Sequence, residues 1–440
     1  MLRLPLLTSL TLLFLSLPLT ALPPALADAP TADNTARFLA GIKPDDGSVM
    51  APYAKEGAWA RHARTLDQSW DRLEKSQLSR IRAWSKKYLP ESRDFMLYMF
   101  SGPDFLYADA FYPNAKTYVL AGLEPVGPIP DLTKMSANGR AAALQELNSS
   151  IYTVLQYSFF ITKDMKAKLR TGQLVGTIPV LYVFLARAGK TVEDVTLVNL
   201  NPDGTVTPSE GATPKGSSSG VKIDFSDGGP QKKTLYYFST DLSDGGLKAS
   251  GYTKFCDSLG PADSLIKSAS YLLHSGNFST ARDYLLAKSA ALVQDDSGVP
   301  LRYFDRKKWQ LQPFGRYAGP ISIFAGRYQN DMAQLFAKGR ATAIDFGIGY
   351  RWRTHETNVL LAKNLELTAA MAAQEAAAKA AAEKAAAEKV AAERAAAEKI
   401  AAEKAAAEKA AAEKAAAEKA ATETPAATPA SGTAAEQKPQ

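Results

Sequence analysis

Between residues 95 and 123 the chain reads strand, helix, strand, and that unit limits the possible folds more than any other stretch. Phe95-Met-Leu-Tyr-Met-Phe100 is an uninterrupted apolar run of strand length, the pattern of a strand buried on both faces. Ser101-Gly102-Pro103-Asp104 supplies a turn and a helix start. Phe105 to about Phe111 reads as a short helix, Pro113-Asn114 breaks it, and Thr117 to Leu123 reads as a second strand. Neighbouring parallel strands need such a crossover, so the spacing predicts an α/β layered domain built on a parallel sheet.

The flanking sequence extends this reading. Leu66, Trp70, Leu73, Ile81, Trp84 and Tyr88 recur at helical spacing with charges between them, and Pro90 marks a stop. That pattern predicts one long amphipathic helix whose aromatic face docks on its own domain or in a partner's groove. Ala137 to about Leu169 reads as helix, with Ile151 to Ile161 open between helix and strand, and Ile178 to Leu185 is a further apolar run. From Val192 to Phe238 the character is β-meander, with strands at Val195 to Leu200, Val221 to Phe225 and Leu235 to Phe238. Thr207 to Gly220, rich in Pro, Ser, Gly and Thr, is expected to be a mobile loop. A helix around Gly251 to Ser258, strand-like Ser264 to Leu273, a helix from about Thr280 to Leu292, strands near Val299 to Phe304 and Trp309 to Phe314, and a last helix from Asn358 follow. Strands of similar type flank the meander. The expectation is therefore one α/β domain over residues 93–365, Rossmann-like in its layering, with an insertion at 192–238 and a lead-in at 28–92.

The two ends speak to compartment. Met1 to Ala27 carries one positive charge, an apolar run from Leu4 to about Leu19, and Ala25-Leu26-Ala27 before Asp28, the pattern of a cleaved secretory signal. The mature chain is then exported, periplasmic or secreted, without a transmembrane segment. No Cys follows the apolar run, and the single cysteine, Cys256, has no partner for an intramolecular disulfide, so a packed core must hold the domain. At the other end, Ala-Ala-Ala-Glu-Lys repeats every five residues from about Ala380 to Ala420. Five residues advance roughly 500° around a helix, so Glu and Lys spiral over every face. This predicts a single solvated helix over 366–423, without the seam of a tight coiled coil, followed by a Pro/Thr/Ala coil at 424–440. A net charge of +7 with no dense basic stripe argues against nucleic acid as a partner.

Chemical motifs are sparse. Gly216-Ser-Ser-Ser-Gly220 matches the letters of a nucleophile elbow but lies in the loop-like stretch. Gly189-Lys190-Thr191 lacks the earlier glycine of a phosphate loop, because Phe184 stands there. His355-Glu356 lacks the second histidine of a zinc helix, Val359 holding its place, and His62 and His274 are the only others. No metal and no cofactor is predicted. The turn Ser101-Gly102-Pro103-Asp104, at the end of one strand, with Glu124 closing the next about twenty residues on, resembles the start of Rossmann-like nucleotide-binding and S-adenosylmethionine methyltransferase domains. The resemblance implies that Gly102 lies at the ligand and that Glu124 takes ribose. One glycine in place of three and a proline in the loop depart from it. Asp295 and Asp296 precede Arg302-Tyr303, Arg316-Tyr317, Arg327-Tyr328 and Arg351-Trp352-Arg353. These residues suit either a cleft for an anionic glycan or peptide carboxylate, or edge strands with solvated arginines.

Phe100-Ser-Gly-Pro-Asp-Phe-Leu-Tyr-Ala108, Tyr112-Pro-Asn-Ala-Lys116, Tyr118-Val-Leu-Ala-Gly-Leu-Glu-Pro125, Asp295-Asp-Ser-Gly298 and Leu301-Arg-Tyr-Phe304 resemble a family of exported proteobacterial proteins with no assigned activity. That likeness implies an envelope or secreted location. The tail is similar in composition to the helical spacer of TolA-type envelope proteins. The expected role is binding or scaffolding in the cell envelope, with a protein or glycan partner. The alternative is a Rossmann-like transferase or hydrolase with a degenerate methyltransferase-like fold, acting on an envelope or extracellular substrate, for which Asp104, Glu124 and the arginine-aromatic cluster must converge on one pocket at the carboxyl ends of the strands, with Glu124 and Arg316 on one face.

Overall fold

A computed structural model describes residues 31–90, 92–159, 169, 172–337 and 341–422. The expected leader Met1 to Ala27, residues 160–168 of the expected helix to about Leu169 and the expected coil at 424–440 fall outside them. The chain forms two compact units, a body ending at Thr368 and a tail from Ala369.

The body opens with α1 (Ala32–Leu39), capped by the Thr31 hydroxyl, and continues through α2 (Gly57–Leu73) and α3 (Ser79–Tyr88). One π-helical turn, Glu74–Leu78, joins α2 to α3, so the aromatic stripe lies on one nearly continuous helix. Leu66, Trp70, Leu73, Ile81 and Trp84 are buried within the body itself. Trp84 meets Phe314 at 5.0 Å and Phe111 at 5.7 Å between ring centroids, so this face is spent on the chain's own core.

Next comes the strand-helix-strand unit as the sequence predicts it: β1 (Phe95–Tyr98), α4 (Phe105–Phe111) and β2 (Thr117–Gly122), with β1 and β2 parallel. Every residue of α4 is buried, including Asp109, whose carboxylate pairs with Lys190 at 2.9 Å. Then follow α5 (Ala137–Tyr157), α6 (Ile178–Arg187), β3 (Thr191–Leu200), β4 (Val206–Pro208), β5 (Ser218–Ser226) and β6 (Lys232–Ser239). The aromatic stretch from Ile151 to Tyr157 is therefore helix. The loop-like stretch is shorter than its composition suggests, since β4 and β5 claim both ends of it. The meander also belongs to the main sheet, because β6 pairs with β2 in parallel.

The second half comprises α7 (Asp244–Ala249), α8 (Tyr252–Leu259), β7 (Ala262–Ile266), α9 (Ser279–Lys288), β8 (Ser289–Gln294), β9 (Trp309–Gly315), α10 (Asn330–Ala337), β10 (Asn358–Asn364) and α11 (Leu365–Thr422). Several boundaries differ from expectation. Strand β7 stops at Ile266, and the predicted helix to Leu292 turns into β8 at Ser289. Leu301–Tyr303 is a 3₁₀ turn, where Pro300 precludes a regular strand. Asn358–Asn364, expected as helix, pairs antiparallel with both β8 and β9.

The result is a mixed α/β fold on a ten-stranded sheet of order β4-β3-β5-β6-β2-β1-β7-β8-β10-β9. Strands β6, β2, β1, β7 and β8 run parallel in the centre. Alternation sends Met96 and Tyr98 into a core with α2 to α6, and Leu97 and Met99 into a second core with α7 to α10. Helical layers thus cover both faces. From β1 the chain winds outward through β2 and β6, then returns to lay β7 and β8 on the other side. The order reverses between β1 and β7.

Asp263 of β7 accepts the Arg93 amide at 2.7 Å. Burial pushes its carboxyl up to about 6 from the ordinary 3.8, against the lowering by that amide. The native state therefore holds more protons than the unfolded chain between about pH 4 and 6, and stability falls as pH rises through that window, by about 3 kcal/mol for this group. Asp263→Asn should flatten that slope in urea melts at pH 4 and pH 7.

In the tail, helix α11 is exposed along its repeats. Its 58 residues give a rod of about 87 Å at ~1.5 Å per residue. Lys384–Glu388 and Lys389–Glu393 stand 3.8 and 4.0 Å apart on the surface and add little, so alanine propensity carries the helix. Ending the chain at Thr368 should remove much helical circular dichroism and leave the cooperative melting temperature of the body within about 2 °C. Among the described residues no helix is long and apolar enough to cross a membrane.

Candidate functional site at the strand reversal

In open α/β sheets the crevice outside the carboxyl ends of the strands, where the order reverses, is left open by the connections and takes ligands. Here that position holds a cleft with about 550 Å³ of space open to solvent. Phe100 and Gly102 follow β1, Glu124 follows β2, Thr240 and Asp241 follow β6, and Ser268, Ala269 and Ser270 follow β7 to form its walls, with Leu242, Leu272 and Phe278 adding apolar surface. Its lining carries two carboxylates and no Lys, Arg or His. Such a wall repels phosphate and favours a neutral or cationic ligand rich in hydroxyl or amino donors.

Two glycines make room for Glu124. A Cβ on Gly122 would lie 2.3 Å from Glu124 Oε2 and 2.9 Å from Gly102 Cα, and Gly102 itself has φ +57°. The Tyr237 hydroxyl donates to the Glu124 backbone oxygen at 2.9 Å and stands 3.3 Å from Oε2. The carboxylate is thus buried against the turn, 2% exposed, with its position fixed from below.

Ser101 and Asp104 face inward. The Ser101 hydroxyl accepts the Ala121 amide at 3.1 Å in the seam between β1 and β2. Asp104 caps α4 through the Tyr107 amide at 3.2 Å, accepts the Tyr98 hydroxyl at 3.0 Å and pairs with Lys267 at 2.9 Å. Its carboxylate occupies the place an anionic ligand would take at that helix start. Both partners of the pair are buried, and Lys267 also lies 3.9 Å from the Tyr107 ring centroid and donates to the Ser158 carbonyl.

The segment after β7 is strained. Ser268, Ser270 and Tyr271 have φ of +54°, +51° and +52°, and Phe100 across the cleft has +60°, a region that side chains disfavour. The aspartates hold this conformation. Asp295 Oδ2 accepts the Ser268 amide at 3.0 Å, the Ser297 hydroxyl accepts the Ala269 amide at 2.8 Å, and the Tyr271 hydroxyl donates to Asp296 at 2.7 Å. Asn358 of β10 donates to the other Asp296 oxygen at 3.2 Å. Burial raises the Asp295 carboxyl to about 6, aided by the neighbouring Asp296 charge, and burial raises Asp296 as well. Neither carboxylate lines the cleft. They are positioning residues for the wall that does.

The arginines divide. Arg351 braces two loops through the Gly319 and Pro320 carbonyls at 2.9 and 2.8 Å and pairs with Glu356 at 3.2 Å. Arg353 is exposed, 4.8 Å from the Trp352 ring centroid, and Arg316 is exposed at the end of β9. Arg302 lines a separate polar cavity with His274 and Arg327. Strand β9 runs in the same direction as β8, both being antiparallel to β10. Glu124 and Arg316 therefore lie at the same edge of the sheet, though not in one pocket. Sequence reasoning missed Lys267, Ser268 and Tyr271. The one signal was a lysine at the end of an apolar strand. Ser218 starts β5 and hydrogen-bonds to Thr240 at 2.9 Å, away from any strand-to-helix turn. Among the described residues no three His, Cys, Asp or Glu side chains cluster as metal ligands. Comparison with protein-family models, curated proteins and solved structures gives no match.

Proposed function

We propose that the body is a Rossmann-like, methyltransferase-like domain that binds a small phosphate-free ligand bearing a vicinal diol, in an exported envelope protein with a helical spacer. The observation that carries this is the placement of Glu124 at the end of the second parallel strand, lining the cleft where the strand order reverses. A carboxylate has lone pairs enough to accept hydrogen bonds from the two hydroxyls of a ribose or a pyranose beside the one from Tyr237, while Phe100, Leu272 and Phe278 offer apolar contact to a ring face. The antiparallel β10 between β8 and β9 favours the transferase form of the reading. Wall carboxylates without basic residues favour a receptor for neutral sugars equally well, and the diol is common to both.

Calorimetric titration of the full chain with adenosine, S-adenosylmethionine and N-acetylglucosamine oligosaccharides separates the two sources. Binding of the nucleosides supports the transferase, binding of the saccharides a glycan receptor. In either case Glu124→Gln should weaken binding about tenfold or more by removing a charged acceptor. No binding in either arm overturns the reading. Export is checked by the amino terminus of the protein recovered from cells, which should begin near Asp28.

A further inference from the structure

A second cavity lies beside the first, beyond the strained segment, and its chemistry is opposite. Arg302, Arg327, His274 and Asp331 face it, and the space amounts to about 680 Å³ open to solvent. Two arginines against one aspartate leave the lining net positive at neutral pH. Among the described residues neither guanidinium forms an ion pair with a carboxylate, Asp331 included. Arg302 lies 4.9 Å from the Tyr303 ring centroid and hydrogen-bonds to its hydroxyl, which steadies the planar group and uses part of its five-donor fork.

His274 stands in the wall of this cavity and reports on what fills it. Its Nε2 is buried without any hydrogen-bond partner, an arrangement that costs about 1–3 kcal/mol unless something fills it. The ring is fixed by the Tyr271 ring at 5.1 Å between centroids and by backbone groups of Asp296 and Gly298. Burial and the two arginines hold the imidazole down to about 4, so it is neutral at pH 7, with its single N–H engaged by those backbone acceptors. The rim is rigid as well. Gln329 donates to the Asp296 carbonyl at 3.0 Å, accepts the Leu301 amide at 3.0 Å and gives its own amide to the Tyr317 hydroxyl at 2.9 Å.

We propose that this cavity binds the oxyanion group of a small ligand, a phosphate or a carboxylate, clamped between Arg302 and Arg327 beside the His274 ring. The site is separate from the diol cleft and stands or falls independently of it. Forked guanidinium donors match both oxyanions. The negative cleft and the positive cavity then flank the same Ser268–His274 segment with ligands of different charge.

The test is a carbon-13 or nitrogen-15 spectrum of the His274 ring in the full chain, titrated with sodium phosphate and with succinate against sodium chloride at constant ionic strength. A saturable shift of the His274 signal is expected with at least one of the two probes, weakened about tenfold or more in Arg327→Gln and in Arg302→Gln. Both arginines are exposed, so these variants should melt with the parent protein. Response to phosphate alone identifies a phosphate site, and response to succinate alone a carboxylate site. A His274 signal that follows chloride equally, or that shifts unchanged in Arg327→Gln, overturns the proposal.

Discussion

Replacing Asp104 with Ala lowers the stability of the body by about 3–5 kcal/mol, because it strands the Lys267 ammonium in the interior. The two side chains are 2% and 1% exposed and 2.9 Å apart. The same substitution removes the cap of α4 and one acceptor of Tyr98, which places it among the costliest single changes in this sheet. The pair itself is replaceable. Asp104→Leu combined with Lys267→Met should recover most of the loss, since an apolar pair of similar volume avoids the desolvation of two charges. Recovery stays incomplete because the Tyr98 hydroxyl and the Ser158 carbonyl each lose a partner. Urea melts of the parent, Asp104→Leu, Lys267→Met and the double variant close the cycle, with Asp104→Ala measured beside them. A cost below about 1 kcal/mol for Asp104→Ala would mean that water reaches the pair.

Gly122→Ala is the second large effect, and it reaches ligand binding through geometry. The added methyl would stand 2.3 Å from Glu124 Oε2 and 2.9 Å from Gly102 Cα, and one of those contacts is with backbone that cannot swing aside. The Glu124 carboxylate must leave its seat, or the turn after β1 must lift. Either outcome destroys the relation between the acid and the turn, at a cost of about 1–3 kcal/mol in stability. Binding of whichever diol probe the parent accepts should fall by about a hundredfold or more, since a misplaced charged acceptor is worse than a missing one. Gly229→Ala has nothing within 4 Å of the new methyl and serves as a matched control with binding unchanged.

How far the sequence discloses this structure depends on punctuation. Phe95–Tyr98, Phe105–Phe111 and Thr117–Gly122 are legible because burial on both faces gives continuous apolar runs and because Gly102, Pro103 and Pro113 mark the breaks. The same logic fails where no breaker stands between elements. The helix α9 passes into β8 at Ser289 without Gly or Pro, and Asn358–Asn364 joins α11 with only Asn364 at the border. Pairing with β8 and β9 makes that segment a strand, and pairing over such sequence separation leaves no local mark. Glu124 and Gly102 are legible as site candidates from a spacing of about twenty residues. The wall formed by Ser268 to Tyr271 is not, because backbone with positive φ at Ser and Tyr carries no sequence signature. Asp295 and Asp296 attract notice as a pair, but only their contacts show that they hold that wall and do not line the cleft. The arginine-aromatic repeats divide in a way that spacing does not show. They lie at one edge of the sheet, yet Arg302 joins His274 in a second cavity and Arg351 braces loops.

The central claim, that the reversal between β1 and β7 is where this protein takes its ligand, is tested most directly by amide hydrogen exchange of the full chain with and without a bound diol probe. The account predicts slowed exchange confined to residues 100–102, 122–124, 240–242 and 268–272, and absent in Glu124→Gln. Protection elsewhere on the body, or protection that persists in Glu124→Gln, would contradict it.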